Sequence, residues 1–147
     1  MDELRPDYKQ PEYSGKTYEL SERSLERLQG IEPTLLDIVL ESITHSPHDF
    51  GIPRYGGMRS AEDQKKLYEK GRSQRDGYNK LSYHQTGRAF DIYVLDDEGK
   101  PTWNSKYHYK YEEVARHIQK IAKEKFFTTV TWGGDWTSFV DRPHFQI

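Results

Sequence analysis

Gly87-Arg88-Ala89-Phe90-Asp91-Ile92-Tyr93-Val94-Leu95 reads as a strand that buries only one of its faces. Side chains alternate along a strand, so Phe90, Ile92 and Val94 share one side and Ala89, Asp91 and Tyr93 the other. The first set is wholly apolar and must face a core. Asp91 therefore projects from the opposite face, where its oxygens can meet a metal. The closing stretch Pro143-His144-Phe145-Gln146-Ile147 alternates in the same way and sets His144 opposite Phe145 and Ile147.

Working outward, a first helix is expected from near Ser21, with Leu20, Leu25 and Leu28 apolar and Gly30 ending it. Pro33 suits the first position of a second helix, whose Leu35, Ile38, Val39 and Ile43 recur at helical spacing. Ser60 is a good N-cap, with Glu62 and Asp63 in the first turn, for a helix through Leu67 that stops at Gly71. A polar loop then leads to the strand, and Asp96-Asp97-Glu98-Gly99 reads as a turn after it. Tyr111 to Lys125 carries Val114, Ile118 and Ile121 on one helical face. Two strand-like pieces, Phe126 to Trp132 and Pro143 to Ile147, flank a Gly-Gly-Asp-Trp turn. Helices early and strands late predict an α+β domain, a small antiparallel sheet flanked by helices. Residues 1–18, rich in Pro, Tyr and charge without periodicity, read as a loosely ordered N-terminal arm, and 19–147 as the one domain.

Composition narrows the chemistry. The 147 residues fit a single domain, and a hydrophobic content of 33% demands a compact core, helped by 14% aromatic residues. Cysteine is absent, which excludes disulfides, thiolate nucleophiles and Cys-type zinc sites, so a metal must be held by His and carboxylates. A net charge of −2 without a basic stripe argues against nucleic acid. No apolar run approaches the roughly 20 residues that span a bilayer. The N-terminus lacks the basic and apolar regions of a secretory signal, so an extracellular substrate would require another route of delivery.

Two imidazoles and one carboxylate make a three-ligand site that leaves a fourth position for water. A zinc ion so held lowers the pKa of bound water to about 7 and polarises a carbonyl. A general base must stand within hydrogen-bond reach, and Asp141, three residues before His144, can sit beside the metal without ligating it. Pro143, with its locked φ, fixes the approach of His144. Spacing alone equally allows Asp91 to cap a turn or pair with Arg88, and His144 to be an ordinary packed imidazole.

The segment Ser82-Tyr83-His84-Gln85-Thr86-Gly87-Arg88-Ala89-Phe90-Asp91 resembles the Ser-x-His-x-x-Gly-x-Ala-x-Asp signature of the VanX- and VanY-like D-Ala-D-Ala and L-alanyl-D-glutamate zinc peptidases, which include bacteriophage endolysins. Asp141-Arg142-Pro143-His144 is similar to the family's acidic residue two positions before Pro-His. Tyr55 to Ser73 is similar to its Gly-x-Arg helix entry and following Gly-x-Ser. The resemblance runs from about Gly51 to the C-terminus and implies a hedgehog/DD-peptidase-like fold. It implies zinc ligands at His84, Asp91 and His144, a catalytic acid/base at Asp141, and an oxyanion-stabilising arginine at Arg59. Ser82 takes a supporting role by position. Trp132-Gly133-Gly134-Asp135-Trp136 resembles a run of the L-alanyl-D-glutamate branch, which puts Trp132, Asp135 and Trp136 on the substrate side; a hairpin turn with packed indoles explains it as well.

Among the other candidates, His45, His48 and Asp49 could form a second metal site. His117 fits a satisfied core histidine, and Asp96, Asp97 and Glu98 a solvated turn or a Ca2+ site. The basic excess between Glu62 and Arg88 could attract an acidic peptide. The resemblance implies a monomeric zinc peptidase cutting the peptidoglycan stem peptide, at the L-Ala-D-Glu bond, as a phage or prophage endolysin. Such a protein is made in the host cytoplasm without a signal peptide and reaches the wall through a holin. The alternatives are a D-Ala-D-Ala carboxypeptidase or dipeptidase of the same family, and a zinc-stabilised binding module without hydrolytic activity.

Overall fold

Ser21 accepts a hydrogen bond from the backbone of Ser24 and starts α1 (Glu22–Arg27). Pro33 opens α2 (Pro33–Thr44), where Glu32 caps the Leu35 amide. Ser60 caps α3 (Ala61–Glu69), and the chain leaves that helix through Gly71 at φ +73°. The long helix α4 (His108–Phe126) begins three residues before the expected Tyr111, because a 3-10 turn at Ser105–Tyr107 feeds directly into it. The computed structural model describes residues 15–147. Most of the expected arm, residues 1–14, lies outside the described residues; within its remainder, Tyr18 donates its N–H to Thr44 at 3.2 Å. Among the described residues no helix is long and apolar enough to cross a membrane.

Among the described residues the strands are short and form two antiparallel three-stranded sheets rather than one. β1 (Phe50–Gly51), β3 (Tyr93–Leu95) and β4 (Pro101–Thr102) make the first, in the order β1-β3-β4. β2 (Ala89–Asp91), β6 (His144–Gln146) and β5 (Thr131–Trp132) make the second, in the order β2-β6-β5. The continuous strand expected over 87–95 is divided at Ile92, whose N–H turns to the Pro143 carbonyl at 2.9 Å. The residues on either side pair with different partners, so one stretch of chain serves both sheets. The strand expected from Phe126 shortens to Thr131–Trp132, because α4 runs on to Phe126 and Phe127 leaves it at φ +52°.

Alternation nevertheless holds across the break: Phe90, Ile92 and Val94 are all fully buried. They meet Leu35, Ile38 and Val39 of α2 and Val114, Ala115 and Ile118 of α4 in one apolar core. Leu25 differs, standing exposed on α1 while Leu20 and Leu28 are buried. Phe90 and Phe145 are register partners and stack at 5.0 Å between ring centroids. Each burial of a ring this size stabilises by roughly 1.5–3 kcal/mol. That stack anchors the register of β2 on β6.

Candidate metal centre and active site

Because Phe90 and Phe145 pair toward the core, the adjacent pair in the ladder, Asp91 and His144, must emerge on the other face. His84 arrives from a separate element, a 3-10 helix at Tyr83–Thr86 that falls between the expected loop and the expected strand. Ser82 caps it by accepting the His84 N–H at 3.2 Å, while its own N–H donates to Gln85 Oε1 at 2.9 Å. Gly87, at φ +75°, closes it.

Three donor atoms converge. His84 Nε2, Asp91 Oδ1 and His144 Nδ1 stand 3.2, 3.1 and 3.2 Å apart pairwise. The outer nitrogens decide the tautomers. His84 Nδ1 donates to the Gly57 carbonyl at 2.9 Å, and His144 Nε2 donates to Gln146 Oε1 at 2.8 Å. Both imidazoles therefore turn a lone pair inward, toward a carboxylate oxygen. Three lone pairs facing one another repel unless a cation lies among them. Tetrahedral bonds of 2.0–2.1 Å separate ligand atoms by about 3.3 Å, so the donor set fits a small divalent ion. Burial opposes ionisation of Asp91, and positive charge on the two imidazoles lowers its carboxyl well below the usual carboxylate range, a role that a cation among the three donors takes over when both rings are neutral. Among the described residues this is the one group of His and acidic side chains with such convergence.

The supports of the triangle come from the chain between β1 and α3. Gly56 accepts the Asp91 N–H at 2.7 Å, Gly57 holds His84, and the Arg59 N–H donates to His84 O at 3.1 Å. A Cβ on Gly57 would overlap the Arg27 carbonyl oxygen, so only glycine admits this approach. Arg59 is largely committed. Its Nε donates to Tyr55 O at 2.7 Å, Nη1 to Gln64 Oε1 at 3.0 Å and Nη2 to Asp91 Oδ2 at 3.0 Å. Three of its five N–H groups are thus used, and Arg59 also lines the cavity.

Asp141 lines the same cavity without joining the triangle. Burial and the neighbouring Asp91 carboxylate push it up to about 6, against the opposing pull of His144, His84 and Arg59. Trp136 also lines the cavity, its ring 5.3 Å from that of His144, and so does the nearly buried Ser82. The space they enclose is about 650 Å³.

Trp132 and Asp135 require correction, since neither reaches the wall of this cavity. Trp132 is buried, donating its indole N–H to Arg142 O at 2.7 Å. Asp135 is clasped by Arg116 through bonds of 2.8 and 2.7 Å, and the Arg116 guanidinium lies 5.0 Å above the Trp132 ring. The Gly-Gly-Asp-Trp segment opens the hairpin connection between the antiparallel β5 and β6 as a 3-10 turn, Gly133–Asp135, pinned to α4. The second metal site does not assemble either: His48 donates to Glu113 at 2.8 Å. His117 is a satisfied core histidine, bonded to Ser42 O at 2.9 Å. Asp96 Oδ1 is occupied by the amides of Glu98 and Lys100, as befits a turn.

Gln146 and Gln64 were missed by sequence reasoning. Strand alternation could have found Gln146, which shares a face with His144. Nothing local marks Gln64, a polar residue on a polar helix.

Known proteins are similar to this chain over the region that carries the centre. Residues 76–147, which hold all three donors and Asp141, match the family described as D-alanyl-D-alanine carboxypeptidase. The peptidoglycan L-alanyl-D-glutamate endopeptidase CwlK of Bacillus subtilis is 31% identical over 98 residues, covering 62% of this chain and 57% of its own. The L-alanyl-D-glutamate peptidase of Listeria phage A118 is 34% identical over 94 residues, covering 63% of this chain and 29% of its own. The chain thus spans little more than half of one of these relatives and under a third of the other. The crystal structure of the Serratia marcescens L-Ala D-Glu endopeptidase ChiX superposes with a TM-score of 0.73 at 29% identity, over 89% of this chain and 90% of that one. A histidine-aspartate-histidine centre on this fold, inside the matched residues, makes the chain similar to D-alanyl-D-alanine carboxypeptidases and L-alanyl-D-glutamate endopeptidases.

Proposed function

We propose that this protein is a zinc peptidase that hydrolyses the peptidoglycan stem peptide at the L-Ala-D-Glu bond, as a phage or prophage endolysin. The observation that carries the reading is the inward-facing donor triangle with an uncommitted carboxylate, Asp141, beside it in a cavity large enough for a peptide. The relatives named above support the bond and the substrate. Two nitrogens and one oxygen, with no thiolate, suit zinc with an open position.

His84, Asp91 and His144 hold the ion, which supplies a Lewis acid that polarises a carbonyl and acidifies water. Asp141 accepts a proton from the attacking water as its oxygen adds to the L-Ala carbonyl carbon. It then delivers that proton to the D-Glu nitrogen as the C–N bond breaks. Burial and Asp91 raise the Asp141 carboxyl and a bound cation draws it back, a balance that suits both duties. Arg59 fixes Asp91 and offers its remaining N–H groups to the oxygen on which negative charge develops. Trp136 shields the His144 side of the centre from water. Delivery to the wall by a holin belongs to the same proposal.

Zinc-loaded protein incubated with purified peptidoglycan should yield fragments with a new L-Ala carboxyl end and a new D-Glu amino end, read by mass spectrometry. Release of free D-alanine alone would assign it to the carboxypeptidase branch. Intact stem peptides would exclude both.

A further inference from the structure

The charges lining the cavity do not balance. Its walls carry Arg54, Arg59, Arg72 and Arg75, against Asp91 and Asp141 as the acidic residues. Asp91 belongs to the donor triangle and to Arg59, and Asp141 to proton transfer. No carboxylate of the cavity wall is left for Arg72 and Arg75, two exposed residues on the turn that follows α3.

That turn is built, not loose. After Gly71, Arg72 donates its N–H back to Leu67 O at 2.9 Å. The Arg75 N–H donates to Ser73 Oγ at 3.1 Å. Gln64, fully buried, reaches the turn from inside: its Nε2 donates to Ser73 Oγ at 2.8 Å and to Arg75 O at 2.7 Å. Its Oε1 accepts from Arg59 Nη1, whose other terminal nitrogen holds Asp91. One buried amide thus ties the arginine-bearing backbone to a metal ligand, so the turn stands at a set place relative to the reacting centre.

We infer that the Arg72–Arg75 turn is a carboxylate-recognition site for the free α-carboxylate of the stem-peptide residue whose amine leaves. The inference rests on the stem-peptide reading above. In the stem, D-glutamate continues through its side-chain carboxyl, so its α-carboxyl stays on the carbon that bears the scissile nitrogen. An anion there lies next to the metal, and guanidinium groups bind carboxylates through paired, charge-assisted hydrogen bonds. The consequence is selectivity: stems with the α-carboxyl free are substrates, and stems with it amidated are poor ones.

The test uses three N-acetylated L-Ala-γ-D-Glu-L-Lys peptides. The first has a free α-carboxyl and an amidated C-terminus, the second is amidated at both, and the third is amidated at glutamate with a free C-terminus. Binding is measured by calorimetry on zinc-loaded D141N protein, which keeps the metal donors and removes the proposed base. The first peptide should bind about tenfold more tightly than the second, and R72Q/R75Q in the same background should bring that ratio to about one. Equal binding in the D141N parent, a ratio that survives R72Q/R75Q, or preference for the third peptide would each overturn the inference. Hydrolysis by the wild-type protein is followed in parallel. Failure to cleave any peptide, with the binding preference intact, would remove the hydrolase reading and leave the carboxylate site standing.

Discussion

Gly133 and Asp141 touch through their backbones: the Asp141 N–H donates to Gly133 O at 3.0 Å, and a Cβ on Gly133 would overlap the Asp141 carbonyl oxygen. The Gly-Gly-Asp-Trp turn therefore sets the position of the proposed base, while its Trp136 lines the cavity. A G133A variant should push Asp141 out of place while leaving the donor triangle intact. We expect kcat to fall between about 10- and 100-fold with zinc content unchanged, measured by peptide hydrolysis and elemental analysis. Normal turnover in G133A would show that this contact is incidental.

Asp141 must be ionised to accept a proton. Burial and Asp91 push it up to about 6, and a cation in the neighbouring triangle draws it back down. The rate should accordingly rise with pH on an acid limb centred at or below about 6. D141N should lower kcat by about 10²–10⁴-fold, abolish that limb and retain the metal. A pH profile of kcat/KM for both proteins checks this, and an unchanged limb in D141N would assign it elsewhere.

Gln146 orients His144 by accepting its Nε2–H at 2.8 Å. In Q146L the ring loses this partner and the tautomer that presents Nδ1 to the metal. Zinc affinity should drop about 10–100-fold in chelator competition. Equal affinity in the two proteins would mean that Asp91 and packing suffice to orient the ring.

The Arg116–Asp135 clasp buries a guanidinium whose side chain is 4% exposed, while that of Asp135 is 46% exposed. Removing a partner of a buried charge is costly, but here water can reach the vacated side and Glu112 stays at 3.7 Å. D135A should destabilise the fold by about 2 kcal/mol, below the range for a wholly buried pair. Urea denaturation tests the figure; no shift in midpoint would make the clasp ornamental.

His117 is depressed below its ordinary value by burial, against the hydrogen bond to Ser42 O. The unfolded chain therefore takes up this proton first. Stability from His117 is complete above pH 6.5, the ordinary value, and is lost as pH falls through the lower folded value. H117Q keeps a donor for Ser42 O and removes the titration. Between pH 7 and 5, its Tm should decline less than that of the wild type; parallel declines would exclude His117 as a source of acid sensitivity.

Much of the architecture follows from local rules. The caps at Ser21 and Ser60 and the alternation Phe90-Asp91-Ile92 are set by backbone geometry within a few residues. The division of the strand at Ile92 was not legible, because it depends on where Pro143 and Gly56 place their carbonyls. The 3-10 helix that carries His84 was hidden for a related reason, since four residues are too few to show a period.

By itself, the sequence determined the absence of thiolate chemistry and which faces of two strands carry Asp91 and His144. Its ordered motifs also pointed to His84, Asp141 and Arg59. Only the tertiary structure decided that three side chains distant along the chain bring their donor atoms to about 3 Å of one another. It alone showed Asp135 and Trp132 turned to Arg116, and Gln64 tying Arg59 to the Arg72–Arg75 turn. Side-chain direction along a strand is a local property of the backbone, whereas convergence depends on register and packing between segments up to 60 residues apart.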